Sequence, residues 1–187
     1  MRPTPLAILT CAALAACADA EGTSSDTSDA GVEACIPREA TDLIALDAWE
    51  VVTADADPLA DHRPEEVVCP SPAELLETGV MEIDTEFCNY FSVSQPLLED
   101  VRPCERLQAV FTHEPLTNDE PAEAHVALLI GGELVWEEAL RIPQPSNVLS
   151  PEWEVTEAIP AGTPIVVHLH NHGVNNYRLL SVRRLAE

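Results

Sequence analysis

From residue 48 onward, apolar and polar positions alternate in short runs separated by proline, glycine and asparagine. Alternation with period two over four to eight residues marks a strand with one face buried. On that basis Ala48–Val52, Val80–Asp84, Tyr90–Ser94 and Leu107–Thr112 are predicted strands. The clearest element is a hairpin, in which Ala124–Ile130 runs into Gly131-Gly132 and returns as Glu133–Glu137. Glycine at both turn positions accepts the positive φ that a two-residue hairpin turn demands. Glu138–Ile142, Trp153–Ile159, Pro164–Asn171 and Asn176–Val182 complete the predicted set. One helical signal interrupts it. Ser71-Pro72-Ala73-Glu74 has the residues of a capping box with proline at the first helical position, and predicts at most two turns before Gly79. Eight or nine short strands with so little helix predict an all-β sandwich of jelly-roll type.

The N-terminal residues follow a different pattern. A single positive charge, Arg2, precedes an apolar run from Leu6 to Ala16, about half the length needed to span a bilayer as a helix. Charged start, short apolar core and small residues make a secretory signal. Its end, Leu14-Ala15-Ala16-Cys17, resembles the lipobox of bacterial lipoproteins. The resemblance implies removal of residues 1–16, lipidation of Cys17, and anchorage to the cell envelope, with the outer membrane the expected membrane. An ordinary signal cut after Ala18-Asp19-Ala20 is the alternative. Residues 18–33 are Ala, Asp, Ser, Thr, Gly and Glu with one valine and no basic residue, which predicts that 17–34 is the lipidated cysteine and a disordered acidic tether. As a coil this segment would reach roughly 20 Å, and stretched about 50 Å. The β-sandwich domain is then expected over 35–187.

Export changes the meaning of the cysteines. Of six in the chain, Cys11 leaves with the signal and Cys17 carries lipid, which leaves Cys35, Cys69, Cys88 and Cys104. An even number in an oxidising compartment predicts two disulfides, with three pairings open. The pairing favoured is Cys69–Cys88, whose loop of about 20 residues would stabilise by roughly 3 kcal/mol. Cys35–Cys104 would then fasten the start of the domain to its body. No C-x-x-C spacing occurs, so neither a zinc knuckle nor a thioredoxin-like centre is expected.

Charge is lopsided, with 33 acidic residues against nine basic ones, all of them arginine, for a net charge of −24. Such a surface repels phosphate backbones and anionic headgroups, so nucleic acid is no partner. The expected membrane association runs through the lipid anchor alone.

The hairpin, Trp136, Ile142-Pro143, Ala161-Gly162 and the final strand pair resemble jelly-roll domains of the galactose-binding-like or carbohydrate-binding type. The stretch from Cys88-Asn89-Tyr90 to His168-Leu169-His170-Asn171-His172-Gly173 is similar to acidic bacterial lipoproteins that have no established activity. The first resemblance implies the fold and a binding role; the second implies the address.

One constellation carries chemistry. His168, His170 and His172 stand at i, i+2 and i+4, so on a strand they project to one face while Ile165, Val167 and Leu169 take the other. Neighbours on one face lie about 7 Å apart, and three in line span about 13 Å. A single ion would therefore take two of them plus a ligand from elsewhere, unless Asn171-His172-Gly173 curls back. His125 is the first outside candidate, because it opposes the face of Val126, Leu128 and Ile130, and His113 is the second. Three imidazoles suit zinc or copper. The His-x-His spacing resembles the copper motif of peptidylglycine-hydroxylating monooxygenases, but the chain is about half their size, lacks a second such domain and has only Met1 and Met81 for sulfur. A second constellation is the loop with Asn171, Asn175, Asn176 and Tyr177, whose amides and ring could form the rim of a saccharide site. No G-x-S-x-G, P-loop, Rossmann or H-E-x-x-H motif occurs.

The sequence thus points to a non-enzymatic, lipid-anchored binding or interaction module of the envelope, holding zinc or copper through its histidines and facing an envelope protein or a saccharide. A carbohydrate-binding module is the alternative, and a small copper-dependent enzyme the second alternative.

Overall fold

The computed structural model describes residues 38–186. The signal segment, Cys17, the acidic tether and Cys35 lie outside the described residues. Among the described residues twelve strands run in chain order. They are β1 (Thr41–Asp42), β2 (Glu50–Val51), β3 (Leu76–Glu77), β4 (Val80–Asp84), β5 (Tyr90–Pro96) and β6 (Arg106–His113). Then follow β7 (Ala122–Ile130), β8 (Glu133–Ile142), β9 (Asn147–Leu149), β10 (Glu152–Glu154), β11 (Pro164–His170) and β12 (Asn176–Arg184). The excess over the eight or nine expected comes from edge segments of two or three residues, too short to show alternation in sequence. No helix among the described residues is long and apolar enough to cross a membrane.

The strands form two antiparallel sheets packed as a jelly-roll-like sandwich. One has the order β10-β6-β12-β4-β3, with β1 beside β12 and β9 beside β6; the other has the order β2-β5-β11-β7-β8. The main core lies between them. Leu107, Ala109 and Phe111 of β6 and Leu179 and Val182 of β12 meet Val126, Leu128 and Ile130 of β7 and Ile165, Val167 and Leu169 of β11. These are the positions that the alternation assigns to the inside. The β7–β8 hairpin turns at Gly131 and Gly132, with φ of +62° and +88°, and Ile130 pairs with Glu133 across it. Cys69 and Cys88 are disulfide-bonded, and Cys104 is disulfide-bonded as well.

Two sequence expectations need correction. The Ser71 capping box forms as local chemistry, since the Ser71 N–H and Oγ–H donate to Glu74 Oε2 at 3.0 and 2.9 Å. No helix follows. Thr78 and Gly79 take positive φ, Leu76-Glu77 folds back on Val80-Met81, and the pairing of β3 with β4 takes the residues that a helix would need. The strand expected over Trp153–Ile159 stops at Glu154; beyond it, contact with the rest of the sheet is reduced to loop bonds such as Val155 N–H to Glu105 O and Ile159 N–H to Val101 O.

β11 is buried on both faces, which the alternation did not predict. The outer face of its sheet carries a second, smaller apolar cluster of Val52, Ala127, Leu129 and Val166, with Leu59 packed against it. Leu59 belongs to the segment between β2 and β3, which crosses this face in two short 3₁₀ turns, Ala54–Ala56 and Ala60–His62. The same segment builds the candidate site.

Candidate metal centre

Asp57 fastens the crossing segment to the sheet. Its buried carboxylate accepts hydrogen bonds from the Tyr90 hydroxyl at 2.6 Å, the Leu59 N–H at 3.1 Å and the Ser92 hydroxyl at 3.4 Å. Arg63 completes the arrangement with an ion pair of 2.8 Å. Burial pushes the Asp57 carboxyl up, but Tyr90, Leu59 and Arg63 outweigh it and hold the group below the usual carboxylate range. Burial, together with Asp57, in turn pushes the Tyr90 hydroxyl up, so it stays a proton donor. Pinned at both ends of the turn by this hub, residues 60–62 lay His62 over the outer face of β7 and β11.

There His62 meets two histidines that the strand period brings to the same face. The His62 and His125 rings stack with centroids 4.0 Å apart and an interplanar angle of 10°. His168 lies 5.2 Å from His125 and 5.5 Å from His62. One nitrogen from each of the three lies within 4.8 Å of the other two. Tyr90 closes the far side, with its ring centroid 5.0 Å from that of His168.

His168 is 0 % exposed, and neither of its ring nitrogens has a hydrogen-bond partner among the described residues. Burial, reinforced by His125 and His62, pushes its pKa down to about 3, so the ring is neutral at physiological pH. His125 is set up differently. Its Nε2 lies 3.1 Å from Glu137 Oε2, whereas its Nδ1 is buried without a partner. A carboxylate beside Nε2 fixes the proton there and leaves Nδ1 as a lone pair turned inward. That is the outer-shell arrangement commonly found behind a metal-ligating histidine.

Three imidazoles suit Zn²⁺ or Cu²⁺. Tetrahedral coordination at 2.0–2.1 Å puts ligand nitrogens about 3.4 Å apart, so from separations within 4.8 Å the triad closes by at most about 1.4 Å per pair to hold an ion. The stacked rings of His62 and His125 also have to tilt for their lone pairs to converge. His62, at the end of a 3₁₀ turn, is the one of the three outside a strand. Soft sulfur ligands are absent from this face among the described residues: Met81 is in the main core and Cys69–Cys88 is oxidised.

The sequence-derived candidates divide. His168, His170 and His125 share the outer face as expected, with His170 in register with His125 across β11 and β7. His172 lies past the end of β11, and the turn after His170 brings its ring to 5.0 Å from that of His170. With His62 and His125 these two line a cleft of about 410 Å³. His113 does not join them. It stands on β6 in the other sheet, with Nδ1 2.8 Å from the Glu114 carbonyl and its ring 5.9 Å from Tyr177. His62 was not among the expected ligands, because it sits in a segment with no periodic pattern.

The expected saccharide rim is also rearranged. Asn171, Asn175 and Tyr177 are buried. The Tyr177 hydroxyl and the Asn175 amide donate to Asn171 Oδ1 at 2.7 and 3.2 Å, while Asn171 Nδ2 donates to Thr85 Oγ1 at 2.9 Å. Asn176 turns its amide to Glu82 on the neighbouring strand. Asn171, Asn175 and Tyr177 are thus spent on one another and on Thr85 inside the fold, away from any rim.

No protein-family model matches the chain, and comparison with curated proteins gives no match. Among solved structures, the chain is similar to TmCBM61 in complex with β-1,4-galactotriose, at 14% identity over 65% of this chain and 81% of that one, with a TM-score of 0.37. It is similar to a CBM4 structure at 10% identity over 76% and 97% of the two chains, TM-score 0.41. A third likeness is to the enzymatically active domain of bacteriophage CBA120 tailspike protein 4, at 14% identity over 58% and 15%, TM-score 0.35. None of these likenesses bears on the histidine face.

Proposed function

We propose that this chain is an exported metal-binding module, tethered to the bacterial envelope through lipidated Cys17, that takes one Zn²⁺ or Cu²⁺ ion between His62, His125 and His168. The observation that carries the reading is His168: a fully buried imidazole with both nitrogens unpaired, facing the inward Nδ1 of His125. Leaving a buried polar atom unpaired costs roughly 1–3 kcal/mol, and a metal ion would remove that cost. His168, the deepest of the three ligands, is inaccessible to solvent, which favours holding an ion over presenting it to a substrate, so the role in this reading is binding. Lipidation of Cys17, as proposed, would put the site where ions are exchanged with the surroundings. Metal analysis of untagged protein after exposure to excess ZnCl₂ and gel filtration tests this. The expected result is one ion per chain, lost in His62→Ala/His168→Ala; equal retention by both proteins would refute it.

A saccharide partner is the second reading, and a specific surface favours it. A groove of about 430 Å³ is lined by half-buried Trp153 with Val135, Ile159 and Pro160, and by Glu133 and Glu157. An indole beside carboxylates offers a stacking face and hydrogen-bond acceptors to a sugar ring. Retention on immobilised polysaccharides, abolished by Trp153→Ala, is expected if this surface binds glycans. Retention that survives Trp153→Ala would exclude the groove.

A further inference from the structure

We infer that His170 and His172 form a capture pair through which the ion reaches and leaves the buried triad; this rests on the metal-binding role proposed above. The five imidazoles of this face are graded in exposure. His172 is exposed, His170, His62 and His125 are half-buried, and His168 is inaccessible. Ring centroids step from His172 to His170 in 5.0 Å, from His170 to His62 in 6.5 Å and from His62 to His168 in 5.5 Å. A ligated ring centroid stands about 3.2 Å from its ion, so across the 5.0 and 5.5 Å steps one ion can hold both ligands, while the 6.5 Å step from His170 to His62 needs a ring to move first.

The turn that positions His172 is built for the purpose. Beyond β11 the chain would carry His172 away along the strand direction, but the buried amide network stops it. Asn175 Nδ2 donates to the His172 carbonyl at 3.1 Å, and Asn171 Nδ2 donates to the Gly173 carbonyl at 3.0 Å. Gly173 has φ of +88°, and a Cβ there would come within 2.5 Å of the Thr117 carbonyl oxygen. The turn is thus closed by groups that no side chain at 173 could allow, and it returns the His172 ring to the cleft beside His170. Glu123 adds a carboxylate to the cleft wall, and the chain's net charge of −24 draws cations towards it.

Two imidazoles hold an ion more weakly than three, so the pair exchanges fast while the triad retains. A path serves both directions. Removing it slows loading and release alike and leaves the equilibrium affinity of the triad unchanged. Stopped-flow mixing of the full chain with ZnCl₂, followed by chelator competition for release, tests this on wild type, His170→Ala/His172→Ala and His168→Leu. The expected result for His170→Ala/His172→Ala is that both rate constants fall about tenfold or more, with Kd within about twofold of wild type. Unchanged rates would overturn the capture role. So would a weakened Kd with an unchanged loading rate, which would make the pair ordinary ligands. If wild type takes up no zinc, or His168→Leu takes up as much, the triad reading itself fails and the capture role falls with it. Far-UV circular dichroism of the double variant is expected to match wild type, since His172 is exposed and His170 half-buried.

Discussion

Replacing His168 by leucine should make the metal-free protein more stable. Most substitutions at a fully buried position destabilise, so the expected sign is unusual. His168 is 0 % exposed and both ring nitrogens are unpaired. At roughly 1–3 kcal/mol per unpaired buried polar atom, the two together cost about 3 kcal/mol. Leucine removes that cost and is close in volume, so imperfect repacking returns only about 1 kcal/mol. Loss of the edge contact with Tyr90, centroids 5.0 Å apart, returns about 0.5 kcal/mol more. The net gain is about 1.5 kcal/mol, or about 3–6 °C in Tm for a domain of this size. Zinc should reverse the order. At a free concentration of 100 Kd the wild type gains about 2.7 kcal/mol by mass action, whereas His168→Leu gains nothing. Thermal unfolding in EDTA and in excess ZnCl₂ reads both effects in one pair of scans. A His168→Leu protein that melts lower than wild type in EDTA, and that zinc raises as much as wild type, would refute the reasoning.

Three further outcomes are expected. Glu137→Ala should weaken zinc binding about tenfold by freeing the His125 tautomer, measured by competition titration, with Tm in EDTA unchanged because Glu137 is more than half exposed. Asp57→Ala leaves Tyr90 and Arg63 without their shared acceptor and should lower stability by about 2–3 kcal/mol in urea denaturation; zinc affinity should fall too, because His62 is on the segment that Asp57 holds. Stability should also fall on acidification. The pKa of His168 is near 6.5 in the unfolded chain and about 3 when folded, so between these values the unfolded state binds the extra proton. Stability is therefore complete above about pH 6.5 and is lost progressively towards pH 3, and the depressed Asp57 adds loss in the same direction at the acid end. Urea midpoints that stay constant from pH 7 to pH 4 would contradict this.

What was legible in the sequence follows from periodicity. Val126, Leu128 and Ile130 face the core, His125 faces away, and Ile165, Val167 and Leu169 separate from His168 and His170 by the same rule, because strand geometry alone sets the face. Gly131-Gly132 located the hairpin because few residues tolerate positive φ. His62 was not legible. It is placed by Asp57 bonding to Tyr90 and Ser92, residues more than 30 positions away, and no local pattern encodes such a contact. The burial of Asn171, Asn175 and Tyr177 was hidden for a related reason: Asn near Gly reads as an exposed turn, and Thr85 and Thr117 from distant segments make the interior site satisfiable. The Ser71 capping box shows local chemistry formed while tertiary pairing overrode the helix it normally starts.

The central claim is that buried His168 is a metal ligand. X-ray absorption at the zinc edge of wild-type protein loaded with one equivalent of ZnCl₂ tests it most directly. The account requires three imidazole nitrogens at about 2.0–2.1 Å in wild type, and loss of this signature in His168→Leu. A spectrum of oxygen ligands only, or an imidazole signature that is identical in the variant, would contradict it.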